Sequence, residues 1–229
     1  FLSVQRSSNQ AGTVGTTAVD VAYDQIAVGS SLGTAFSFTA GASDLTLNEA
    51  GLYLVFANTR IEKGDTNNTR TNYQQRLTLD GAEVEGSKTT TYLRGEGNGE
   101  DTQSGVTAIG TLVSATPGQI LNVELKMESG GFASTIQGNE TALTIVKLPF
   151  TAKSISLVHG ASQEVNNAAT TPIIFDTLNG GSSAFSHTSG TSQVTVNATD
   201  DYLFFGSIFT SSDTATNDNH IRVVPWQGW

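Results

Sequence analysis

The chain of 229 residues has no cysteine, and it has few prolines, histidines and charged side chains. Without cysteine it can form no disulfide, no thiolate metal site and no cysteine nucleophile. The lack of disulfides favours a bacterial or viral source over a small secreted animal domain. Basic residues are also scarce, since 11 Lys and Arg face 21 Asp and Glu and leave a formal net charge of −10. Because proteins meet phosphate backbones with clustered Lys and Arg, this balance argues against nucleic acid as a partner.

Long apolar runs and two common catalytic motifs are missing as well. No stretch of about 18 apolar residues is present, so we expect no membrane partner. Neither a His-Glu-x-x-His pair nor a Walker loop occurs. A Ser–His–Asp triad would need His159, His187 or His220 to be oriented by a carboxylate beside an activated serine, and sequence proximity does not establish this. We therefore predict that the chain is not an enzyme and has no cofactor.

Apolar and polar residues alternate along most of the chain, which is the pattern of half-buried β-strands. The alternating apolar positions of one clear segment are Leu121, Val123, Leu125 and Met127. Turn residues separate such segments: Asp80-Gly81 predicts a type I′ hairpin and Pro117-Gly118 predicts a type II turn. The sequence therefore predicts an all-β protein of antiparallel sheets.

One segment departs from this alternation. Gly51 is followed by the unbroken apolar run from Leu52 to Phe56. The run could be taken for part of a helix, but a short apolar run beside a glycine suits a central strand better. We predict a central strand here, buried on both faces.

The chain also repeats itself. Residues 35–56 align without gaps on residues 184–205, at an offset of 149, with 11 of 22 positions identical. Phe36 matches Phe185 and Tyr53 matches Tyr202, so the identity is not a product of Ser and Thr composition alone. Self-similarity of this kind indicates tandem copies of one structural unit. We place the boundary near Pro149-Phe150, because a proline ends a strand.

The second copy is shorter than the first. We predict one complete unit over residues 1–149 and the first half of a second unit over residues 150–229. Half of a β-sandwich would leave strand edges and a core face uncovered. Either the chain is a piece of a longer protein, or another chain completes the second unit.

Several motifs of the first unit resemble the C1q and tumour-necrosis-factor-like family, as a general relative in a tandem arrangement found in phage or bacterial surface proteins. The motifs are Tyr23 to Ile26, the series from Ser43 to Val55 with its Gly-x-Tyr, the hairpin Arg76 to Gly81, the Pro-Gly turn in Ala115 to Leu121, and the closing segment Ala142 to Leu148. The resemblance covers residues 1–149 and half a copy afterwards. It implies an antiparallel jelly-roll β-sandwich.

The same resemblance implies a homotrimer about a three-fold axis. In such trimers the Gly-x-Tyr strand lies near the axis, so Leu52, Tyr53, Leu54 and Phe56 are candidates for the trimer interface. The alternative for Tyr53 is that its side chain fills the core of the sandwich. Both roles stay open for Tyr53 at this point.

One polar loop of the second unit is a weak candidate for calcium. It contains Asp213, Asn217, Asp218 and Asn219, and a matching loop of the first unit contains Asp65, Asn67 and Asn68. Carboxylate and amide oxygens are the ligands that Ca²⁺ prefers. The spacing does not fit an EF-hand, and Asx residues form such turns without any metal, so we predict no metal site.

Two tryptophans stand near the end of the sequence. Trp226 and Trp229 could form an aromatic platform for a ligand, or they could be buried against a partner or against the rest of the second unit. We therefore take both as candidates for partner binding.

Two functions fit this combination of features. The first is a structural protein of a virus particle, bound to capsid or other virion proteins at the virion surface, as capsid decoration (cement), tail fibre or spike of a bacteriophage. It is motivated by the tandem sandwiches, the low charge density and the absence of catalytic groups. The alternative is an extracellular, secreted bacterial C1q-like recognition module that binds a glycan, a protein or another cell-surface ligand through its loops.

Overall fold

The structure is a computed structural model. It describes residues 1–10, 14–63, 70–94, 104–128, 134–149, 152–160, 163, 171–200, 202, 204 and 206. These residues form strands and turns, and none of them lies in a helix, so they contain no helix that could cross a membrane. The predicted all-β class is confirmed.

Among the described residues, thirteen strands lie within residues 1–149 and four more follow them. The first set is β1 (Leu2–Gln5), β2 (Val19–Asp20), β3 (Gln25–Ile26), β4 (Phe36–Phe38), β5 (Leu45–Leu47), β6 (Gly51–Lys63), β7 (Arg70–Leu79), β8 (Ala82–Glu83), β9 (Thr89–Arg94), β10 (Ser104–Ala115), β11 (Gln119–Met127), β12 (Ser134–Ile136) and β13 (Ala142–Lys147). The second set is β14 (Ile155–Val158), β15 (Thr177–Gly181), β16 (Phe185–His187) and β17 (Val194–Val196).

The first thirteen strands form two antiparallel sheets. The six-stranded sheet has the order β10-β6-β13-β1-β3, with β12 also paired to β6. The seven-stranded sheet has the order β4-β5-β11-β7-β8, with β2 also paired to β11 and β9 to β7. The chain passes repeatedly from one sheet to the other, as from β5 to β6, from β6 to β7 and from β10 to β11. This topology is a jelly roll, and the predicted jelly-roll sandwich is confirmed.

The core lies between the two sheets and is built from alternate residues of each strand. Leu121, Val123 and Leu125 are each 0% exposed, as the alternation in this segment predicts. Three tyrosines, Tyr23, Tyr53 and Tyr73, are among the largest fully buried side chains. Burial of an apolar side chain of this size contributes about 1.5–3 kcal/mol, so these positions supply much of the stability of the sandwich.

The Asp80-Gly81 turn has the geometry that the sequence predicts. Asp80 has φ 50° and Gly81 has φ 79°, both in the left-handed region that a type I′ turn requires. The Asp80 carboxylate accepts hydrogen bonds from the backbone N–H of Ile120, at 2.8 Å, and from Nε2 of Gln119, at 3.0 Å. These two donors lower the pKa of the Asp80 carboxyl, so its ionised form connects the β7–β8 hairpin to β11.

We expect the variant Asp80→Asn to be less stable than the unmodified chain at pH 7, and the difference to shrink as the pH falls below about 4. A carboxyl whose pKa is lower in the folded chain stabilises it at neutral pH, and this contribution is lost as the pH falls through the folded pKa. Asn keeps the left-handed turn and one acceptor oxygen but cannot ionise. Urea unfolding of both proteins at pH 7 and pH 3 measures the effect. A difference that is the same at both pH values would contradict it.

The second set of strands repeats a hairpin of the first. β16 pairs with β17 in the register Phe185↔Val196, and β4 pairs with β5 in the register Phe36↔Leu47, at the same offset of 149. The backbone N–H that follows each hairpin bonds to the equivalent carbonyl: Asn48 to Ala35 at 2.9 Å, and Asn197 to Ala184 at 2.7 Å. The division at residue 149 and the incomplete second jelly roll stay predictions.

Candidate assembly interface

β6 has one apolar face toward the core and a second apolar face toward the outside. On the inner face, Tyr53 and Val55 are each 0% exposed. On the outer face, Leu52, Leu54 and Phe56 are only partly buried. The prediction that this strand is buried on both faces is therefore wrong for the single chain, because the five-residue apolar run covers one closed face and one partly open face.

The neighbouring strands extend the outer apolar face of β6. Leu54 lies opposite Leu112 of β10 on one side and opposite Val146 of β13 on the other. Directly opposed residues of antiparallel strands point to the same face and lie about 5 Å apart, so these three side chains form a row across three strands. We call Leu52, Leu54, Phe56, Leu112 and Val146 the outer apolar patch.

An ion pair stands at one end of the patch, where Arg60, on the same face of β6 as Phe56, binds Glu140. A second ion pair, between Lys147 and Glu49, lies at the end of the inner face, because Lys147 is opposite Tyr53 in the register of β13 and β6. The hydrogen bond from Lys147, with one from Thr34, lowers the pKa of the Glu49 carboxyl. The patch is therefore bordered by a charged pair beyond Phe56. An apolar centre with a polar rim is the usual composition of a protein–protein interface.

Tyr53 lies in the core. Its hydroxyl donates to the carbonyl oxygen of Glu49 at 2.6 Å, and its ring meets Phe36 edge to face with centroids 5.9 Å apart. A side chain that is 0% exposed cannot contact a second copy of the chain, so Tyr53 takes the core role that the sequence left open. Leu52, Leu54 and Phe56 lie on the outer face, and their interface role stays a prediction.

The other predicted site residues lie outside the described residues. These are Asp213, Asn217, Asp218 and Asn219 of the weak calcium candidate, Asp65, Asn67 and Asn68 of its counterpart, and the partner-binding candidates Trp226 and Trp229. Within the described part of the chain, no three His, Asp or Glu side chains are grouped so that they could hold a metal ion.

Two of the three histidines are described. His159 Nδ1 lies 3.5 Å from Asp176 Oδ2, and neither of its ring nitrogens has a hydrogen-bond partner among the described residues. His187 lies between two carbonyl oxygens, with Nδ1 at 2.8 Å from Gln193 and Nε2 at 3.0 Å from Phe175. Neither histidine forms a hydrogen bond to a serine hydroxyl within the described part, so neither has the geometry of a triad.

The sequence Gly29-Ser30-Ser31-Leu32-Gly33 has the Gly-x-Ser-x-Gly spacing of a nucleophile elbow. An elbow requires a sharp turn from a strand into a helix, and the described residues contain no helix. The Ser31 hydroxyl instead accepts a hydrogen bond from the backbone N–H of Gly33 at 3.2 Å, within an exposed turn. The local structure therefore gives Ser31 a turn-forming role.

The strand order of the first unit is that of a jelly roll, which is the fold that the motif resemblance implied. Solved structures of this type match at low identity. The globular domain of zebrafish complement 1qA protein is 12% identical, with 66% of this chain and 98% of that chain covered and a TM-score of 0.39. Murine APRIL is 14% identical, with 64% and 97% covered and a TM-score of 0.40, and rabbit GITRL is 14% identical, with 52% and 81% covered and a TM-score of 0.33. No family model and no curated protein sequence matches the chain.

Proposed function

We propose that this chain is a non-enzymatic structural protein of a virus particle and that it assembles as a homotrimer through the outer apolar patch. The patch is the observation that carries the proposal. Leu54, Leu112 and Val146 adjoin one another on the open face of the six-stranded sheet, where a single chain leaves them partly in contact with water. Burial in an interface removes this apolar surface from water at about 25 cal/mol per Å².

The number of copies follows from the sequence motifs and from symmetry. The Gly-x-Tyr motif at Gly51 to Tyr53 resembles that of trimeric jelly rolls, and it begins the strand that carries most of the patch. A three-fold ring closes, so each copy buries its patch against a neighbour and no patch remains open. An open chain of copies would instead leave a patch exposed at one end.

The virion role is supported by the composition and by the repeat. The chain is acidic, free of cysteine and low in charge, and its sequence repeat includes a β-hairpin that recurs at an offset of 149. Trimeric proteins fit the local three-fold positions of a capsid. Quantitative mass spectrometry of purified particles tests the role. We expect the chain in intact particles at a copy number that is a multiple of three and is set by capsid symmetry, and its absence from the particles would refute the proposal.

The second candidate is an extracellular bacterial recognition module that binds a glycan or protein ligand. It is favoured by the Asx-rich segment around Asp218 and by Trp226 and Trp229, since aromatic side chains supply large contact surfaces for ligands. A glycan array followed by calorimetry distinguishes the two candidates. A ligand whose binding is lost in Trp226→Ala or Asp218→Ala would favour the recognition module.

A further inference from the structure

β14 and β15 repeat the pairing of β1 with β3. In each unit an aspartate joins the two strands. Its backbone N–H donates to the carbonyl oxygen of the last residue of the first strand, and its carboxylate accepts a hydrogen bond from the backbone N–H two residues after that last residue. The equivalent bonds are Asp24 N to Gln5 O (3.1 Å) with Asp176 N to Val158 O (3.2 Å), and Ser7 N to Asp24 Oδ1 (2.7 Å) with Gly160 N to Asp176 Oδ1 (2.8 Å). Leu2–Gln5 therefore corresponds to Ile155–Val158, at an offset of 153.

Other hydrogen bonds near these strands also correspond between the two units. The backbone N–H of Gly41 bonds to Tyr23 O at 2.7 Å, and that of Gly190 bonds to Phe175 O at 2.8 Å. The hydroxyl of Tyr202 donates to Ala198 O at 2.7 Å, as the hydroxyl of Tyr53 donates to Glu49 O at 2.6 Å. Between β14 and Tyr202, the described residues of the second unit thus reproduce these hydrogen bonds of the first.

The two units differ in what covers these strands. In the first unit the other edge of β1 pairs with β13, in the register Leu2↔Ile145 and Val4↔Leu143. In the second unit β14 pairs with β15 and with no other strand of the described residues. Leu2 and Val4 are each 0% exposed, whereas their counterparts Ile155 and Leu157 are only partly buried.

Two further counterparts of core residues are exposed in the second unit. Val196 is 43% exposed where Leu47 is 0% exposed, and Phe204 is 74% exposed where Val55 is 0% exposed. The positions that are buried in the core of the first unit are therefore exposed to solvent at these two counterparts in the second. An open strand edge beside an uncovered apolar face is a template for another strand.

We propose that the open edge of β14 is an acceptor site for an added antiparallel strand whose sequence pattern is that of β13. The first unit indicates which side chains the added strand needs. Leu143 and Ile145 of β13 point into the core, and Thr144 between them points outward. The added strand places its apolar residues opposite Ile155 and Leu157 and its polar residue opposite Ser156. Backbone hydrogen bonds hold the strand, and the alternating apolar side chains set its register.

A disulfide cross-link tests the register. In the first unit the hydroxyls of Ser3 and Thr144 are 2.9 Å apart, so cysteines at these two positions fall within disulfide reach. The 229-residue chain has no cysteine, so Ser156→Cys introduces a single thiol. The partner is a synthetic peptide of residues 140–148 with Cys in place of Thr144. We expect this peptide to form the mixed disulfide about tenfold faster than a peptide with Cys in place of Leu143, whose side chain faces the opposite side.

Two controls separate strand addition from chance reaction. The chain variant Ser3→Cys with Thr144→Cys should form an intrachain disulfide, which shows that the geometry allows the bond. The variant Ser186→Cys carries an exposed thiol on β16 and should react with both peptides equally slowly. Equal reaction of both peptides with Ser156→Cys would overturn the proposal.

Hydrogen exchange of the unmodified chain gives a second measurement without any cysteine. We expect the amides of Ile155–Val158 to exchange more slowly when the unmodified peptide of residues 140–148 is added, and to be unaffected by a peptide of the same composition in scrambled order. Amides that are already slow without the peptide and do not change on its addition would show that the edge is covered, and this result would also overturn the proposal.

Discussion

Replacing Leu54 by glutamate is expected to convert the proposed trimer into folded monomers. Leu54 is the centre of the row that Leu112 and Val146 complete, and assembly would place three added carboxylates in an apolar interface. An unpaired buried charge costs several kcal/mol, which is a large part of the free energy that holds an ordinary interface together. The fold should survive, because the side chain at position 54 points away from the core.

Light scattering coupled to gel filtration measures the mass of this variant, and circular dichroism checks its fold. The matched control is Lys126→Glu, which places a new carboxylate on β11 in the other sheet and should keep the native mass. A folded Leu54→Glu protein with the native trimer mass would show that the outer apolar patch is not the interface.

Replacing Tyr53 by alanine is expected to lower the free energy of unfolding by about 3–5 kcal/mol, the range for large aromatic truncations in a core. Its side chain is 0% exposed, packs on Phe36 and donates a hydrogen bond to the Glu49 carbonyl. The conservative variant Tyr53→Phe loses only that hydrogen bond and should cost about 0.5–1.5 kcal/mol. Substitutions at these neighbouring positions should therefore have different effects: those at position 53 should lower the stability of the fold, and that at position 54 should prevent assembly.

Urea unfolding in the Leu54→Glu background measures both Tyr53 variants. This background removes the contribution of assembly, which would otherwise make the apparent stability depend on protein concentration. If Tyr53→Ala changes the mass of the otherwise unmodified protein and leaves the free energy of unfolding of the monomer unchanged, the core assignment of Tyr53 is wrong.

Alternation predicted much of the first unit correctly. A period of two places Leu121, Val123 and Leu125 on one face, and the left-handed residues Asp80 and Gly81 are ones that a type I′ turn favours. These signals are local, because each depends on residues within a few positions of one another. Local signals therefore identify the strands and turns from which the jelly roll is built.

The sidedness of β6 could not be predicted in the same way. Where every residue from Leu52 to Phe56 is apolar, alternation cannot tell which face meets the core. The answer depends on pairing with distant strands, since Leu54 meets Leu112 and Val146 only in the folded chain. The outer apolar patch is therefore a property of the sheet that the sequence of one strand does not contain.

The repeat also has one part that sequence alignment finds and another part that only the structure reveals. The hairpin of β16 and β17 keeps the offset of 149 and half of its residues, so sequence alignment finds it. β14 lies at an offset of 153 from β1, and LSVQ and ISLV share only a serine, so gapless alignment misses it. Hydrogen bonds such as that from Asp176 to Val158 reveal the correspondence, because backbone pairing survives the change of side chains and loop length.

Sedimentation equilibrium of the unmodified chain at micromolar concentration tests the trimer most directly. The outer apolar patch on the six-stranded sheet predicts a single species at three times the chain mass of 24.0 kDa. A species that stays at 24.0 kDa over this concentration range would mean that water covers the patch in the native protein, and it would contradict the proposed assembly.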